Sequence, residues 1–158
     1  MRVLIVEDNH NKLKQIKLFL KQTYPKVCIH DAVSYTAGLR RIYEERWDLL
    51  LLDMSLPIYD IGQQETGGDK KSIAGKEIMK RMIHRRIFIP TVIVTQFDTF
   101  GEKEISINAL NKEFEETLNR VWQGTIGYED STNKWKIQLK ALIDKIMMEN
   151  EYDKDIGG

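Results

Sequence analysis

Cysteine is almost missing from this sequence, which has one among 158 residues. Cys28 therefore has no partner for an internal disulfide, and its apolar neighbours Val27 and Ile29 predict a buried, unreactive thiol in a reducing compartment. Long apolar runs are missing as well. No run approaches the roughly 18 residues that predict a membrane span, and the first run is too short for a signal peptide. We therefore expect a cytoplasmic protein without a membrane partner.

Net charge is also absent, because 24 basic side chains balance 24 acidic ones. Proteins that bind nucleic acid through phosphate contacts usually carry an excess of positive charge, so the balance argues against a nucleic-acid partner. Four lysines near the amino end recur at helical spacing, and they are expected to form the solvated side of the first helix. They are Lys12, Lys14, Lys17 and Lys21.

Short apolar segments alternate with amphipathic ones along the chain. The apolar segments are 2–6, 26–32, 48–53, 91–95 and 124–128. Such alternation predicts an α/β fold: a doubly wound, five-stranded parallel sheet in the order 2-1-3-4-5, with helices on both faces. The length suits a single domain, which we assign to residues 1–148, followed by a polar tail at 149–158.

Two regions are longer than such a fold requires. A polar, glycine-containing loop is expected at about 58–74, where Gly62, Gly67 and Gly68 provide conformational freedom. The fourth helix is expected to be extended, because apolar residues continue at steps of three and four from Ile107 to Val121.

Polar side chains stand at the ends of three of the predicted strands: Glu7 and Asp8, Asp53, and Thr95. In the expected strand order these strands are neighbours, so the four side chains converge at one edge of the sheet. Crowded carboxylates repel one another, and a divalent cation that prefers oxygen ligands, Mg²⁺, resolves the repulsion. Asp53 then has an oxygen able to attack phosphorus, and the Thr95 hydroxyl can donate a hydrogen bond to a phosphoryl oxygen.

A purely structural interpretation competes with this site. Acids after strands often cap the next helix, so Asp8 or Asn9 would cap the first helix and Asp53 would only begin a loop. The coincidence of several acids and a hydroxyl at one edge favours the functional interpretation.

These pieces together resemble the receiver domains of two-component response regulators. The matching stretches are "VEDN", "LLLLDMSLP" with Pro57 four residues after Asp53, Gly75 at the third helix, and "PTVIVT". The resemblance implies a flavodoxin-like fold and a phosphoryl group accepted on Asp53 from a histidine kinase or phosphotransfer protein. It also implies Mg²⁺ bound by the three acids Glu7, Asp8 and Asp53 and by the backbone carbonyl of Ser55.

One element of the resemblance is missing. Receiver domains normally carry a lysine at the end of the fifth strand that pairs with the phosphoryl group. Here that position falls between Tyr128 and Ser131, and none of these residues is basic. Lys134 or Lys136 at the start of the last helix is an alternative source of the charge.

Three functions follow. The first is a stand-alone, non-enzymatic receiver that signals to an unknown downstream protein, with a second copy of the chain as a candidate partner. The second is a pseudo-receiver that binds partners without phosphorylation. The third is a phosphatase of the haloacid dehalogenase type, which is disfavoured because Ser55 stands where such enzymes need a second acid.

Overall fold

A five-stranded parallel sheet forms the centre of the molecule. The structure, a computed structural model, describes residues 1–60, 70–71, 73–96, 99–100 and 105–157. The strands are β1 (Arg2–Val6), β2 (Cys28–Ala32), β3 (Leu49–Leu52), β4 (Thr91–Thr95) and β5 (Trp122–Gly127). They lie in the order β2-β1-β3-β4-β5, which confirms the fold class and strand order expected from the sequence.

Among the described residues, five helices cover the two faces of the sheet. They are α1 (His10–Thr23), α2 (Tyr35–Glu44), α3 (Ala74–His84), α4 (Ile107–Thr117) and α5 (Lys134–Gly157). One apolar core joins the sheet to α1 and α5, and a second core on the opposite face joins it to α2, α3 and α4. Two short antiparallel ribbons lie outside the sheet: Leu56–Pro57 pairs with Lys70–Lys71, and Thr99–Phe100 pairs with Ile105–Ser106.

Strand β3 shows why the sheet is a rigid support. Its four leucines are all buried, with Leu49 and Leu51 in the core beside α1 and α5 and Leu50 and Leu52 in the opposite core. This is the alternation of a strand covered on both faces. Because burial of each leucine side chain contributes roughly 1.5–3 kcal/mol, the residue that follows this strand, Asp53, has a well-fixed backbone.

Side-chain caps begin three of the helices. Asn9 accepts the amide hydrogen of Lys12 at 3.0 Å, Ser34 accepts that of Ala37 at 3.1 Å, and Ser106 caps α4. The cap of α1 falls on Asn9, so Asp8 is not used for that purpose.

The prediction of an extended fourth helix is wrong. Helix α4 ends at Thr117, and Leu118 forms its carboxyl cap. Leu118 and Val121 are nevertheless buried, because the turn after the helix folds them back into the same core. Apolar spacing therefore continued past the end of the helix.

Residues 149–157, which the sequence assigned to a polar tail, belong to helix α5. Glutamate and lysine favour helices, so polarity does not end one. None of the described helices is long and apolar enough to cross a bilayer.

Cys28 was predicted to be buried and is exposed. The reason is the strand order: β2 is at the edge of the sheet and pairs with β1 alone, and Cys28 is its first residue. Most of the predicted loop at 58–74 lies outside the described residues, including Gly62, Gly67 and Gly68.

Candidate functional site

Three carboxylates meet at the carboxyl edge of the sheet. The backbone amide of Asp53 donates to the carbonyl of Val6 at 3.0 Å, so Asp53 lies directly beside Glu7. One carboxylate oxygen from each of Glu7, Asp8 and Asp53 lies within 4.8 Å of the other two. Glu7 and Asp53 are buried, whereas Asp8 is half-buried. The structure therefore brings together the three acids that the sequence placed at strand ends.

Thr95 ends β4, the neighbour of β3, at the same edge. Its side chain is 1% exposed, and among the described residues the hydroxyl oxygen has no hydrogen-bond partner. An unpaired buried hydroxyl costs free energy, so such groups are rare and need an explanation. Thr95 thus presents an unused donor at the edge where the acids meet.

The ammonium group of Lys12 lies among these acids, which corrects the expectation that Lys12 belongs to the solvated side of α1. The residue is 1% exposed. Its Nζ donates to Glu7 Oε2 at 2.8 Å and to the carbonyl of Val94 at 2.6 Å, and it lies 3.4 Å from Asp53 Oδ1. An ammonium group has three donors, and here three oxygens surround it.

The position of Lys12 on α1 explains how it reaches the site. Helical side chains point toward the amino end of their own helix, and the amino end of α1 follows directly from the carboxyl end of β1. Lys12 is in phase with the buried Ile16, Phe19 and Leu20, so its stem follows the apolar stripe. The exposed Lys14 and Lys21 lie on the other side of the helix.

The charges in the pocket do not balance. One buried ammonium group faces two buried carboxylates, and Glu7 also accepts the amide hydrogen of Asn9 at 3.1 Å. Burial, followed by repulsion from Asp53, raises the pKa of Glu7 to about 8, although Lys12 acts in the opposite direction. The pocket therefore lacks positive charge when Glu7 is ionised.

A divalent cation fits this donor set. Three carboxylates offer oxygen ligands, and the two positive charges of such a cation, added to that of Lys12, would balance all three when they are ionised. Ser55, the predicted carbonyl ligand, follows Asp53 by two residues and is buried, but no contact of its carbonyl assigns it to the site.

Tyr128 occupies the end of β5, where the sequence lacks a basic residue. Its amide donates to the carbonyl of Thr95 at 2.8 Å, and its side chain is buried. The ring centroid lies 5.8 Å from Lys12 Nζ, and the hydroxyl donates to Asp130 at 2.5 Å. Lys134 is exposed and Lys136 lies over the Trp135 ring, so the positive charge near Asp53 comes from α1 instead.

Gly75 packs closely against the backbone of Asp53. A Cβ atom at this position would lie 2.9 Å from the Asp53 carbonyl oxygen and 3.1 Å from the Met54 sulfur. The start of α3 therefore packs directly against the backbone that carries the acceptor candidate.

No protein-family model matches the chain. Among curated proteins it is similar to the Detocs response regulatory protein DtcB of Enterobacter cloacae, with 27% identity over 150 residues. The match spans 92% of this chain and all of that protein.

Solved receiver domains share the fold. A CheY-like receiver domain protein from Methanospirillum hungatei superposes with a TM-score of 0.64 at 21% identity, covering 96% of this chain and 97% of that one. The receiver domain of the histidine kinase PA1611 from Pseudomonas aeruginosa, whose structure has magnesium in the active-site cleft, gives 0.56 at 19%, covering 92% and 96%. These likenesses confirm the resemblance seen in the sequence: the chain has the fold of response regulator receiver domains.

Proposed function

We propose that this protein is a receiver that accepts a phosphoryl group on Asp53 with Mg²⁺ bound beside it. The observation that carries the proposal is the cluster of Glu7, Asp8 and Asp53, whose ligand oxygens lie within 4.8 Å of one another at the carboxyl edge of the sheet. The magnesium in the cleft of the Pseudomonas aeruginosa receiver domain supports the same choice of cation.

Asp53 would be the nucleophile. Its Oδ1 accepts the amide hydrogen of Met54 at 2.8 Å and faces Lys12, so both described side-chain contacts of Asp53 use this oxygen. The other oxygen, Oδ2, attacks phosphorus of a phosphohistidine or a small acyl phosphate. The new bond joins Oδ2 to phosphorus, the bond from phosphorus to the donor atom breaks, and its electron pair leaves with the donor.

The surrounding residues orient the group and balance its charge. Glu7, Asp8 and Asp53 would hold the metal, with the Ser55 carbonyl as a further ligand. When bound, Mg²⁺ would supply positive charge to the phosphoryl oxygens. The Thr95 hydroxyl, unpaired among the described residues, would donate to one of those oxygens.

The proposed partners follow from this chemistry. The phosphodonor would be a histidine kinase or phosphotransfer protein in the cytoplasm, and the output would be contact with a downstream protein. We assign no enzymatic turnover to the protein, because the product stays on its own side chain.

Phosphorylation with acetyl phosphate and Mg²⁺, followed by intact-mass measurement, tests the proposal. We expect one added phosphoryl group on the wild type, removed by mild base or hydroxylamine, and none on Asp53→Asn. Asp48→Asn is a matched control, because Asp48 flanks the opposite end of β3 and accepts the Arg2 amide at 2.7 Å. An adduct of equal extent on Asp53→Asn would contradict the assignment.

Lys12 also favours a second candidate, a phosphorylation-independent pseudo-receiver. Its contacts with Glu7 and Asp53 already neutralise part of the acidic cluster without a metal. In that case millimolar Mg²⁺ would produce no heat in calorimetry, and neither acetyl phosphate nor beryllofluoride would modify the protein.

A further inference from the structure

Lys12 has no role in the site predicted from the sequence, yet it is among the most buried large side chains described. We propose that Lys12 pairs with the phosphoryl group on Asp53 and so supplies, from helix α1, the positive charge that the end of β5 lacks. This inference rests on the proposed function and adds a residue to it.

The first argument is position. Lys12 Nζ lies 3.4 Å from Asp53 Oδ1, and this is the one ion pair of Asp53 among the described residues. A phosphoryl group joined to the same carboxylate carries nearly two negative charges, where the free carboxylate carried one. Lys12 then forms charge-assisted hydrogen bonds to the phosphoryl oxygens with little movement.

The second argument is that the ammonium group is held from both sides of Asp53. The Val94 carbonyl belongs to β4, and the Glu7 carboxylate follows β1, the two strands that flank β3. These contacts keep Nζ at the carboxyl edge and prevent it from turning to solvent. A lysine that only covered apolar surface would extend its charged end into water instead.

The third argument is the structure at the end of β5. Tyr128 fills that position with an uncharged ring, 5.8 Å from Lys12 Nζ, and its hydroxyl is engaged by Asp130. Among the described residues, the ammonium group beside Asp53 therefore comes from α1 and not from the end of β5.

A purely structural role for Lys12 leads to a different expected result. If Lys12 served only to neutralise the acids in the absence of metal, its removal would change Mg²⁺ binding and folding but would leave binding of a phosphoryl mimic unaffected once Mg²⁺ is present. Measurements of Mg²⁺ alone and of beryllofluoride with saturating Mg²⁺ separate the two roles.

The experiment compares wild type with Lys12→Met, Lys12→Arg and the control Lys14→Met, which removes an exposed lysine from the same helix. Calorimetry measures Mg²⁺ affinity, and fluorine NMR measures beryllofluoride bound at saturating Mg²⁺. For Lys12→Met we expect Mg²⁺ affinity at least equal to wild type, since a neighbouring positive charge is gone, and beryllofluoride affinity lower by about 10- to 100-fold. Lys12→Arg should recover part of the loss, and Lys14→Met should match wild type.

Equal beryllofluoride affinity in Lys12→Met and wild type would overturn the role of Lys12 and leave the proposed function intact. Failure of wild type to bind beryllofluoride at all would overturn the proposed function, and this inference with it. A measurement on wild type alone guards against a variant that does not fold: the NMR signal of the Lys12 ammonium group should shift when beryllofluoride is added. An unchanged signal in a protein that binds the mimic would overturn the inference.

Discussion

Lys12 and Asp53 form an ion pair at 3.4 Å in which neither side chain is more than 6% exposed. One partner comes from the first turn of a helix and the other from the end of a strand, so the pair joins α1 to β3. Its significance lies in what happens when either charge is removed, because buried charges without a partner are strongly unfavourable.

Replacement of Lys12 by methionine should therefore lower the stability of the metal-free protein. We expect a loss of about 3 kcal/mol in the free energy of unfolding, since the change leaves two buried carboxylates without their counter-charge. Urea denaturation in the presence of a chelator measures it. Lys14→Met should differ from wild type by no more than about 0.5 kcal/mol, and a similarly small change for Lys12→Met would show that the acids are stable without the ammonium group.

Only the site residues at the ends of strands could be predicted from the sequence. Glu7, Asp8, Asp53 and Thr95 each come directly after an apolar run, and the parallel strand order then brings them together. Lys12 was missed because lysine was taken as a surface residue. Its position on the helix could have revealed it, because Lys12 lies on the same face of α1 as the buried residues, whereas Lys14 and Lys21 lie on the exposed face.

The fold was predictable because each inner strand is a short, continuous apolar run, as in β3 and β4. The ends of the helices and the exposure of residues in the edge strand could not be predicted. The spacing that continued past α4 to Val121 reflects a shared core and not a continuing helix. Exposure of Cys28 depends on β2 being at an edge, which is a property of the whole sheet.

A side chain at position 75 should destabilise the protein. In Gly75→Ala the new Cβ would lie 2.9 Å from the Asp53 carbonyl oxygen, which is backbone and cannot move away without shifting the acceptor residue. We expect a loss of about 1–3 kcal/mol in the free energy of unfolding, measured by urea denaturation, together with weaker Mg²⁺ binding.

Gly127 provides the control for this substitution, because it lies at the same edge of the sheet opposite Thr95. Among the described residues, no atom would lie within 4 Å of a Cβ there. Gly127→Ala should change stability by no more than about 0.5 kcal/mol. A similar loss from both alanine variants would show that the effect at Gly75 does not come from the contact with Asp53.

Two tyrosines should resist ionisation at alkaline pH. Burial and a hydrogen bond to Asp144 raise the pKa of Tyr24, and burial and a hydrogen bond to Asp130 raise the pKa of Tyr128. Because the folded state favours the neutral phenol, this contribution to stability is complete below the ordinary value of 10.0 and is lost as the pH rises above it.

Ultraviolet titration of phenolate absorbance measures this effect. At least two of the six tyrosines should ionise late in wild type, and Tyr24→Phe and Tyr128→Phe should each remove one of the late-ionising groups. Loss of an early-ionising group from either variant would contradict the buried hydrogen bonds.

Thr95→Val should separate stability from ligand binding. The hydroxyl is buried and unpaired among the described residues, so replacing it with a methyl group of similar size should raise the free energy of unfolding of the metal-free protein by about 1 kcal/mol. If the hydroxyl donates to a phosphoryl oxygen, the same change should lower beryllofluoride affinity at saturating Mg²⁺ by about tenfold.

Thr95→Ser is the matched variant, because it keeps the hydroxyl and removes the methyl group. It should be less stable by about 1 kcal/mol, since it loses a buried methyl group, yet bind beryllofluoride nearly as wild type does. The valine variant should thus gain stability and lose affinity, whereas the serine variant should lose stability and keep its affinity. A valine variant that bound the mimic as tightly as wild type would reduce Thr95 to a packing residue, and a less stable valine variant would mean that the hydroxyl already has a partner in the metal-free protein.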